Sequence, residues 1–375
     1  MTTQSPLHAS HQSAEAFFIS YGPPESQTPI VETFGDLDME YAAIRKGCVV
    51  FDEPHMGTLK ITGPERHEFL NNMLTAKIDD LKPGKSLSSF WLNRQGRIDA
   101  DLHLIETDDA LIVKLDRHLA TSTAESLNTF LFAEDCQIEV DNTLHWISLH
   151  GPTALALLDT PQSLQENQNT TTTINNIPVI VDRADLTGET GLNIGVAPEN
   201  LTALYTHLIE TQSCKRTGWL AINAARIEAG HPLYNIDFGP DTVPAETSIM
   251  DSRVNLTKGC YLGQEVVARM HARNIRKQGI VGIRLDSQRI SMENQSVLQP
   301  MTGAYIYKPG EEGQTPIGAV TSSTISPMLG AIPICFAMIK DAHTTPGTEL
   351  IVAAEGAYTH CTVTNELKFW SKPNS

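Results

Sequence analysis

The sequence of 375 residues predicts an α+β fold that is followed by a β-barrel-like domain. Strand–turn–helix units begin near Leu59 and Trp146, and a third strand that leads into a helix begins at Leu192. After Lys277 the pattern changes to short apolar runs separated by turn residues, which is typical of a small barrel. Repeated strand–helix units with strand pairs between them indicate an α+β region made of two similar halves.

The first 29 residues are predicted to form a polar, loosely attached tail. The run Gly22, Pro23 and Pro24 interrupts it, and we expect a short helix over residues 14–20. The first 44 residues contain no Lys or Arg, whereas secretory signals need a basic region and mitochondrial transit peptides are rich in Arg. The sequence therefore favours a cytoplasmic protein.

The first unit shows how the strand–helix pattern is recognised. Leu59 and Ile61 alternate as in a strand, Gly63 and Pro64 predict a turn, and the helix after it carries an apolar face over residues 69–74. Proline is favoured at the first position of a helix, so Pro64 fits this assignment.

Four further segments complete the α+β region. Residues 90–102 predict two strands joined by a turn at 93–96, and residues 112–115 predict another strand. The segment 162–176 is rich in Gln, Asn and Thr and predicts a surface loop. The strand at 192–196 leads through Pro198 into an amphipathic helix.

The C-terminal part predicts five barrel strands. They are expected at residues 281–285, 305–307, 317–321, 335–339 and 349–352. We therefore divide the chain into a tail of residues 1–29, a region of two α+β subdomains over 30–277, and a β-barrel domain over 278–375. Residues 269–277 could belong to either side of the last boundary.

Charge and cysteine spacing exclude several function classes. A net charge of −17 argues against direct nucleic-acid binding through a general basic surface. The six cysteines contain no CxxC pair, so a permanently held cluster is not expected, and the thirteen histidines form no grouping typical of a closed metal site. No apolar run reaches the length that crosses a membrane.

One short stretch, residues 254–269, combines several chemically active groups. Gly259 and Gly263 flank Cys260, which predicts that the thiol lies on a turn and not inside a helix. Lys258 places a cation two residues from the sulfur, where it could favour the reactive thiolate. The alternative is that Cys260 is a small buried residue in a structural turn, which is the usual role of a free cysteine.

The same stretch carries a resemblance to a known family. Residues 258–261, 263–265 and 267–269 resemble the signature of the YgfZ-type folate-binding proteins, which are relatives of the glycine cleavage T-protein. Similar segments extend from Phe51 to Val352. The resemblance implies a three-domain disc with a central folate-binding hole and a C-terminal β-barrel domain. It also implies tetrahydrofolate or a one-carbon derivative as cofactor.

The resemblance implies roles for four residues outside the cysteine stretch. Glu189, presented after Gly188, is similar to the glutamate that grips the pteridine ring, because a carboxylate can accept two parallel N–H bonds. Arg226 suits the carboxylate of a folate tail, or forms an internal pair with a nearby glutamate. Tyr234 is expected to line the hole or the core.

The fourth residue is Asp101. The T-protein has two adjacent aspartates here, one of them near the reacting nitrogen of folate, whereas this chain has Ala100 and Asp101. Asp99 is displaced by one residue, which points it to the opposite face of a strand from Ala100. The loss of one aspartate argues against aminomethyl transfer, although Asp101 can still approach the folate.

Three functions remain open from the sequence. The first is an accessory role in iron–sulfur cluster assembly or repair, with Cys260 and Lys258 acting on client or assembly proteins and so supporting cluster enzymes such as those that modify tRNA. The second is a folate-dependent one-carbon transferase, that is, an aminomethyltransferase or demethylase, in which Asp101 acts. The third is a scaffold in which folate is structural.

Overall fold

A computed structural model describes residues 4–159, 163–273, 275–286 and 298–371. The chain forms two compact units. Unit 1 contains Met1–Leu92, Asp99–Ile222 and Arg253–Leu262. Unit 2 contains Asn93–Ile98, Asn223–Ser252 and Gly263–Ser375.

The N-terminal segment is an integral part of unit 1, which corrects the prediction of a loose tail. It forms helix α1 (His8–Ser13) and a hairpin of β1 (Phe17–Tyr21) and β2 (Thr28–Thr33). The helix expected at 14–20 is therefore wrong. His11 is buried and its Nε2 lies 2.9 Å from Oδ2 of Asp52, so this hydrogen bond anchors the segment.

Besides the β1–β2 hairpin, unit 1 contains two larger sheets with mainly antiparallel strands. The six-stranded sheet has the order β10-β11-β12-β9-β3-β13, and the five-stranded sheet has the order β5-β6-β7-β4-β8. The strands of the first sheet are β3 (Val49–Asp52), β9 (His145–His150), β10 (Asn169–Ile174), β11 (Ile177–Arg183), β12 (Gly191–Val196) and β13 (Lys215–Arg216). The strands of the second are β4 (Met56–Thr62), β5 (Lys85–Leu92), β6 (Ile98–Glu106), β7 (Leu111–Asp116) and β8 (Gln137–Val140).

Unit 1 also contains the helices α2 (Leu37–Lys46), α3 (Arg66–Met73), α4 (Arg117–Asn128) and α5 (Pro198–Glu210). The sequence predicts α3 and α5, whereas α2 and α4 are additions. In α5 the buried positions are Leu201, Leu204, Tyr205 and Leu208, and Pro198 is in the first turn as expected. Two details differ from prediction: α3 begins after Pro64, and a short 3-10 turn (Ala154–Leu157) follows β9.

The predicted surface loop at 162–176 is wrong over residues 169–174, which form β10; residue 162 lies outside the described residues. Four threonines in this strand have high β propensity, which outweighs the polar composition that suggested a loop. The strands expected at 90–102 and 112–115 are confirmed as β5, β6 and β7.

Unit 2 contains helix α7 (Gln264–Arg273) and a closed six-stranded barrel with the order β14-β17-β16-β15-β18-β19. The strands are β14 (Gln278–Leu285), β15 (Tyr305–Tyr307), β16 (Gly318–Ser326), β17 (Ile332–Lys340), β18 (Glu349–Ala354) and β19 (Ala357–Val363). All five predicted strands are present, and β19 is an addition. The mixed fold with a C-terminal barrel is therefore confirmed. Helix α6 (Trp219–Ala229) carries Arg226 near its end.

In the described part of the chain, none of the helices is both long enough and apolar enough to cross a lipid bilayer.

Candidate functional site

The cysteine stretch of unit 1, residues 253–262, is fixed to the chain that follows α3. The hydroxyl of Thr75 donates to the carbonyl of Arg253 (2.7 Å), and the amide of Asn255 donates to the carbonyl of Thr75 (2.9 Å). Asn255 in turn accepts from the amide of Lys258 (2.9 Å). This stretch, hereafter the thiol loop, is therefore held by hydrogen bonds at several positions.

Cys260 is exposed on the thiol loop, whereas the other five cysteines are buried. The loop ends at Gly263, whose φ of +82° is the left-handed conformation that glycine adopts without strain, and α7 begins at the next residue. The predicted turn is confirmed, and the structural alternative of a buried cysteine is not what the structure shows.

Lys258 has a different environment from the one that the sequence suggested. Its ammonium group donates to the main-chain carbonyls of Leu74 (2.6 Å) and Ala76 (2.5 Å), and it lies 5.4 Å from the centre of the Tyr261 ring. Burial lowers the pKa of Lys258 to about 8, against a smaller opposing effect of Asp79. These contacts assign Lys258 to fastening the thiol loop, which corrects its predicted role of stabilising the Cys260 thiolate.

Asp101 is linked to the thiol loop. Its Oδ1 accepts from Nε of Arg253 at 2.9 Å, and both side chains remain partly accessible. Strand β6 alternates between buried and partly exposed residues, so Asp99 and Asp101 share one face while Ala100 points into the hydrophobic core. The predicted opposite orientation of Asp99 and Ala100 is confirmed.

A polar cluster that sequence analysis missed continues from this face of β6. The imidazole of His103 lies 2.7 Å from Oδ2 of Asp182 on β11, and Asp182 also accepts from Asn193 on β12 (2.9 Å). The ammonium of Lys114 on β7 donates to Asn193 and to Glu53, each at 2.6 Å. The alternation of Asp99, Asp101 and His103 along β6 was the one local signal for this cluster, because its other members come from distant strands.

The electrostatics of this polar cluster keep its carboxylates ionised. Burial alone would raise the pKa of Asp182, but His103 and the hydrogen bond from Asn193 lower it more. Burial likewise opposes ionisation of Glu53, and the charge of Lys114 outweighs it, so the pKa of Glu53 is also lowered. The cluster is therefore a buried arrangement of charged partners that bridges the two sheets.

His150, at the end of β9, gives unit 1 a testable pH dependence. Burial lowers its pKa from 6.5 to about 4, so the folded protein keeps this imidazole neutral while the unfolded chain protonates it. The stability that His150 confers is present above pH 6.5 and is lost as the pH falls to about 4. We expect this loss to reach about 3 kcal/mol.

The measurement is the free energy of unfolding against pH, by denaturant titration. His150→Gln should flatten the curve between pH 6.5 and 4, whereas His271→Gln, at an exposed position of α7, should leave its slope unchanged. Equal slopes in the native protein and the His150 variant would contradict the assignment.

Glu189 lies in the loop between β11 and β12. Gly188 has a φ of +78°, and Arg45 of α2 donates to the carbonyl of Thr187 at 2.8 Å and lies 3.8 Å from Oε1 of Glu189. Oγ1 of Thr187, two residues before Glu189, is buried and has no hydrogen-bond partner among the described residues. A buried acceptor close in the chain to such an orphaned hydroxyl fits a polar ligand that would supply the missing partner.

Arg226, in unit 2, is fully buried in an internal network. Its Nη1 donates to Asp237 (2.7 Å) and to the carbonyl of His231 (2.9 Å), Nη2 donates to Ser322 (2.6 Å), and Nε donates to Asn223 (3.0 Å). The predicted contact with a folate carboxylate is therefore wrong in this structure. The alternative of an internal ion pair is what the structure shows, with Asp237 as partner.

Glu228 and Tyr234 also have internal partners in unit 2. The carboxylate of Glu228 accepts from the hydroxyl of Ser326, and its carbonyl accepts from the amide of Trp370 (3.0 Å). The hydroxyl of Tyr234 donates to the carbonyl of Ile98 at 3.0 Å, and its ring is partly exposed. The ring of Tyr234 packs edge-to-face with Phe238 at 5.6 Å between centroids.

Comparison with known proteins decides the family. The family model described as the GCVT N-terminal domain matches residues 7–258, and the glycine cleavage T-protein C-terminal barrel domain matches residues 279–369. This chain belongs to the glycine cleavage T-protein family.

Relatives within the T-protein family span nearly the whole chain. An aminomethyltransferase of Saccharopolyspora erythraea is 26% identical over 364 residues, which cover 94% of each chain. A mitochondrial aminomethyltransferase of Dictyostelium discoideum is 27% identical over 341 residues, which cover 84% of this chain and 81% of the relative. These names fit the one-carbon transferase interpretation better than the iron–sulfur one.

A solved structure of the T-protein family has the same fold. The crystal structure of glycine cleavage system aminomethyltransferase T from Bartonella henselae aligns with a TM-score of 0.86, covers 99% of this chain and 98% of its own, and is 24% identical in sequence. The similarity at this level of identity establishes the fold. The comparisons support the T-protein family and do not reach the YgfZ-type subfamily.

Among the residues that the structure describes, no group of three or more His, Cys, Asp or Glu side chains is arranged to hold a metal ion.

Proposed function

We propose that this T-protein family member binds tetrahydrofolate or a one-carbon derivative through unit 1. Glu189 would accept N–H bonds from the pteridine, and Asp101 would lie on the same side as the reacting part of the cofactor. Support comes from the family, and from the buried hydroxyl of Thr187 in the predicted binding loop, which has no partner among the described residues. When bound, the folate would supply a carrier for one-carbon groups.

The Glu189 assignment predicts a loss of folate affinity on substitution. Glu189→Gln replaces an acceptor oxygen by a donor of nearly the same shape, so one of the two charge-assisted bonds is lost. Tetrahydrofolate binding should weaken by about 1.5–3 kcal/mol, measured by titration calorimetry.

Glu199→Gln is the matched control, since Glu199 is exposed on α5 of the same unit. The affinity of this variant for tetrahydrofolate should equal that of the native protein. Unchanged affinity in the Glu189 variant would remove Glu189 from the site.

We further propose that the protein uses this fold as an accessory factor in iron–sulfur cluster assembly or repair. The observation that carries this proposal is the exposed thiol of Cys260 on a fastened loop. A thiolate is a preferred ligand of iron–sulfur clusters, and a single accessible cysteine suits transient contact better than permanent cluster binding. Ala100 also supports the proposal. It stands where the T-protein has one of its two adjacent aspartates, and its side chain packs in the hydrophobic core.

The second candidate is a folate-dependent one-carbon transferase. The names of the relatives favour it, and Asp101 remains partly accessible beside Arg253. Under this alternative Asp101 would act on the cofactor, with Arg253 holding its carboxylate in place. Cys260 would then have no role in the reaction.

One assay separates the two candidates. The purified protein is incubated with tetrahydrofolate, a lipoylated carrier protein and an aminomethyl donor, with an authentic aminomethyltransferase as positive control. The accessory proposal expects no turnover. Turnover comparable with the positive control, abolished by Asp101→Asn, would establish the transferase instead.

A genetic experiment tests the accessory proposal directly. The gene is deleted in its host, and the activities of several cluster enzymes, including radical-type enzymes that thiolate tRNA, are measured with and without oxidative stress. We expect reduced activity that the native gene restores. Full activity of every cluster enzyme under stress would contradict the proposal.

A further inference from the structure

Two buried cysteines of unit 1, Cys48 and Cys214, each come directly before one of two neighbouring strands. Strand β13 runs parallel to β3 with Lys215 aligned with Val49, so Cys214 and Cys48 are aligned one step earlier. The amide of Lys215 donates to the carbonyl of Cys48 at 2.9 Å, which fixes this register. Aligned residues of adjacent strands point their side chains to the same face, so the two thiols lie on the same face of the pair.

The strand geometry satisfies the main requirement for a disulfide. Neighbouring strands lie about 4.7–4.9 Å apart, which is within the Cα separation of about 4.4–6.8 Å that disulfides tolerate. Cys48 and Cys214 also belong to one packed hydrophobic cluster. A bond between them therefore requires rotation of side chains and no displacement of a strand.

Small reagents can reach the pair. Both cysteines line an open cavity of about 920 Å³, whose walls also carry Lys46, Lys215 and Arg216. The neighbouring Cys48 thiol and burial raise the pKa of Cys214, so little thiolate is present at neutral pH. Oxidation at this site should therefore be slower than oxidation of an exposed thiol.

We propose that Cys48 and Cys214 form a reversible intramolecular disulfide with a hydroperoxide as the oxidant. One thiolate attacks a peroxide oxygen and becomes a sulfenic acid, and the second thiol then displaces water to form the S–S bond. With hydrogen peroxide, two thiols and one peroxide give one disulfide and two waters. The bond joins the chain just after α2 to the chain just after α5.

Two cysteines of the barrel provide an internal control. Cys335 on β17 and Cys361 on β19 are both buried, but β14 lies between their strands. Two strand spacings place them about 9–10 Å apart, beyond the reach of a disulfide. Cys335 and Cys361 are as buried as Cys48 and Cys214, but they lack the strand alignment on which the proposal depends.

The test is peptide mapping of the native, full-length protein. After treatment with hydrogen peroxide and alkylation of the remaining thiols, non-reducing mass spectrometry should show a linked peptide that contains Cys48 and Cys214. Dithiothreitol should reduce this disulfide. The peptides that contain Cys335 and Cys361 should be alkylated and not linked to each other. Cys214→Ser should abolish the linked peptide and leave the circular dichroism spectrum unchanged.

The measurement is repeated on the Cys260→Ser variant, which lacks the exposed thiol, so that disulfides between molecules do not obscure the result. Three outcomes would overturn the proposal. One is the absence of the linked peptide after Cys260 has been fully oxidised in the native protein. The others are a link between Cys335 and Cys361 in equal yield, and a Cys48–Cys214 link that forms only after unfolding in urea.

Discussion

Arg226→Met is expected to destabilise unit 2 by about 3–5 kcal/mol, because breaking a buried ion pair leaves its partner charge unpaired. The guanidinium is fully buried and has four hydrogen-bond partners. Its removal leaves Asp237 buried, and its remaining donors among the described residues are the hydroxyls of Thr321 and Ser322 and the amide of Leu233. The measurement is the free energy of unfolding from a denaturant titration.

Arg284→Met is the matched control, because Arg284 is exposed on β14 of the same unit and should tolerate the change within about 0.5 kcal/mol. The double variant Arg226→Met/Asp237→Leu removes both charges and should recover part of the lost stability. A single variant as stable as the native protein would show that Arg226 is not the structural centre of the network, and would reopen its proposed contact with a ligand.

Cys260→Ser is expected to fold normally and to fail in supporting cluster enzymes in cells. Serine is accepted at an exposed turn, but its hydroxyl forms no thiolate at neutral pH and is a poor ligand for iron–sulfur clusters. The measurement is the restoration of cluster-enzyme activity in the deletion strain by the variant gene. We expect restoration to fall to the level of an empty vector.

Leu256→Ser is the matched control, since Leu256 is exposed on the same thiol loop and the change leaves the sulfur in place. A second measurement in vitro is the rate of alkylation of each cysteine, in which Cys260 should react first because the other five are buried. Full complementation by Cys260→Ser would contradict the accessory proposal, and the one-carbon transferase would become the leading candidate.

The roles of Lys258 and Arg226 show where local sequence reasoning failed. Sequence distance placed Lys258 beside the sulfur of Cys260, but its ammonium contacts carbonyls at positions 74 and 76. A buried four-carbon side chain reaches the acceptors that tertiary packing provides, and desolvation makes such acceptors necessary. Arg226 follows the same rule, with Asp237 and Ser322 as its partners.

The sequence by itself determined the elements whose evidence is local. Apolar spacing placed α5, alternation placed β6 and the barrel strands, and the glycine at 263 predicted the turn that exposes Cys260. The tertiary structure alone decided which polar groups meet: His11 with Asp52, His103 with Asp182, and Lys114 with Glu53. Periodicity reports which face of an element is buried, whereas the partner of a buried charge depends on strand order and register, which residues far apart in the chain set together.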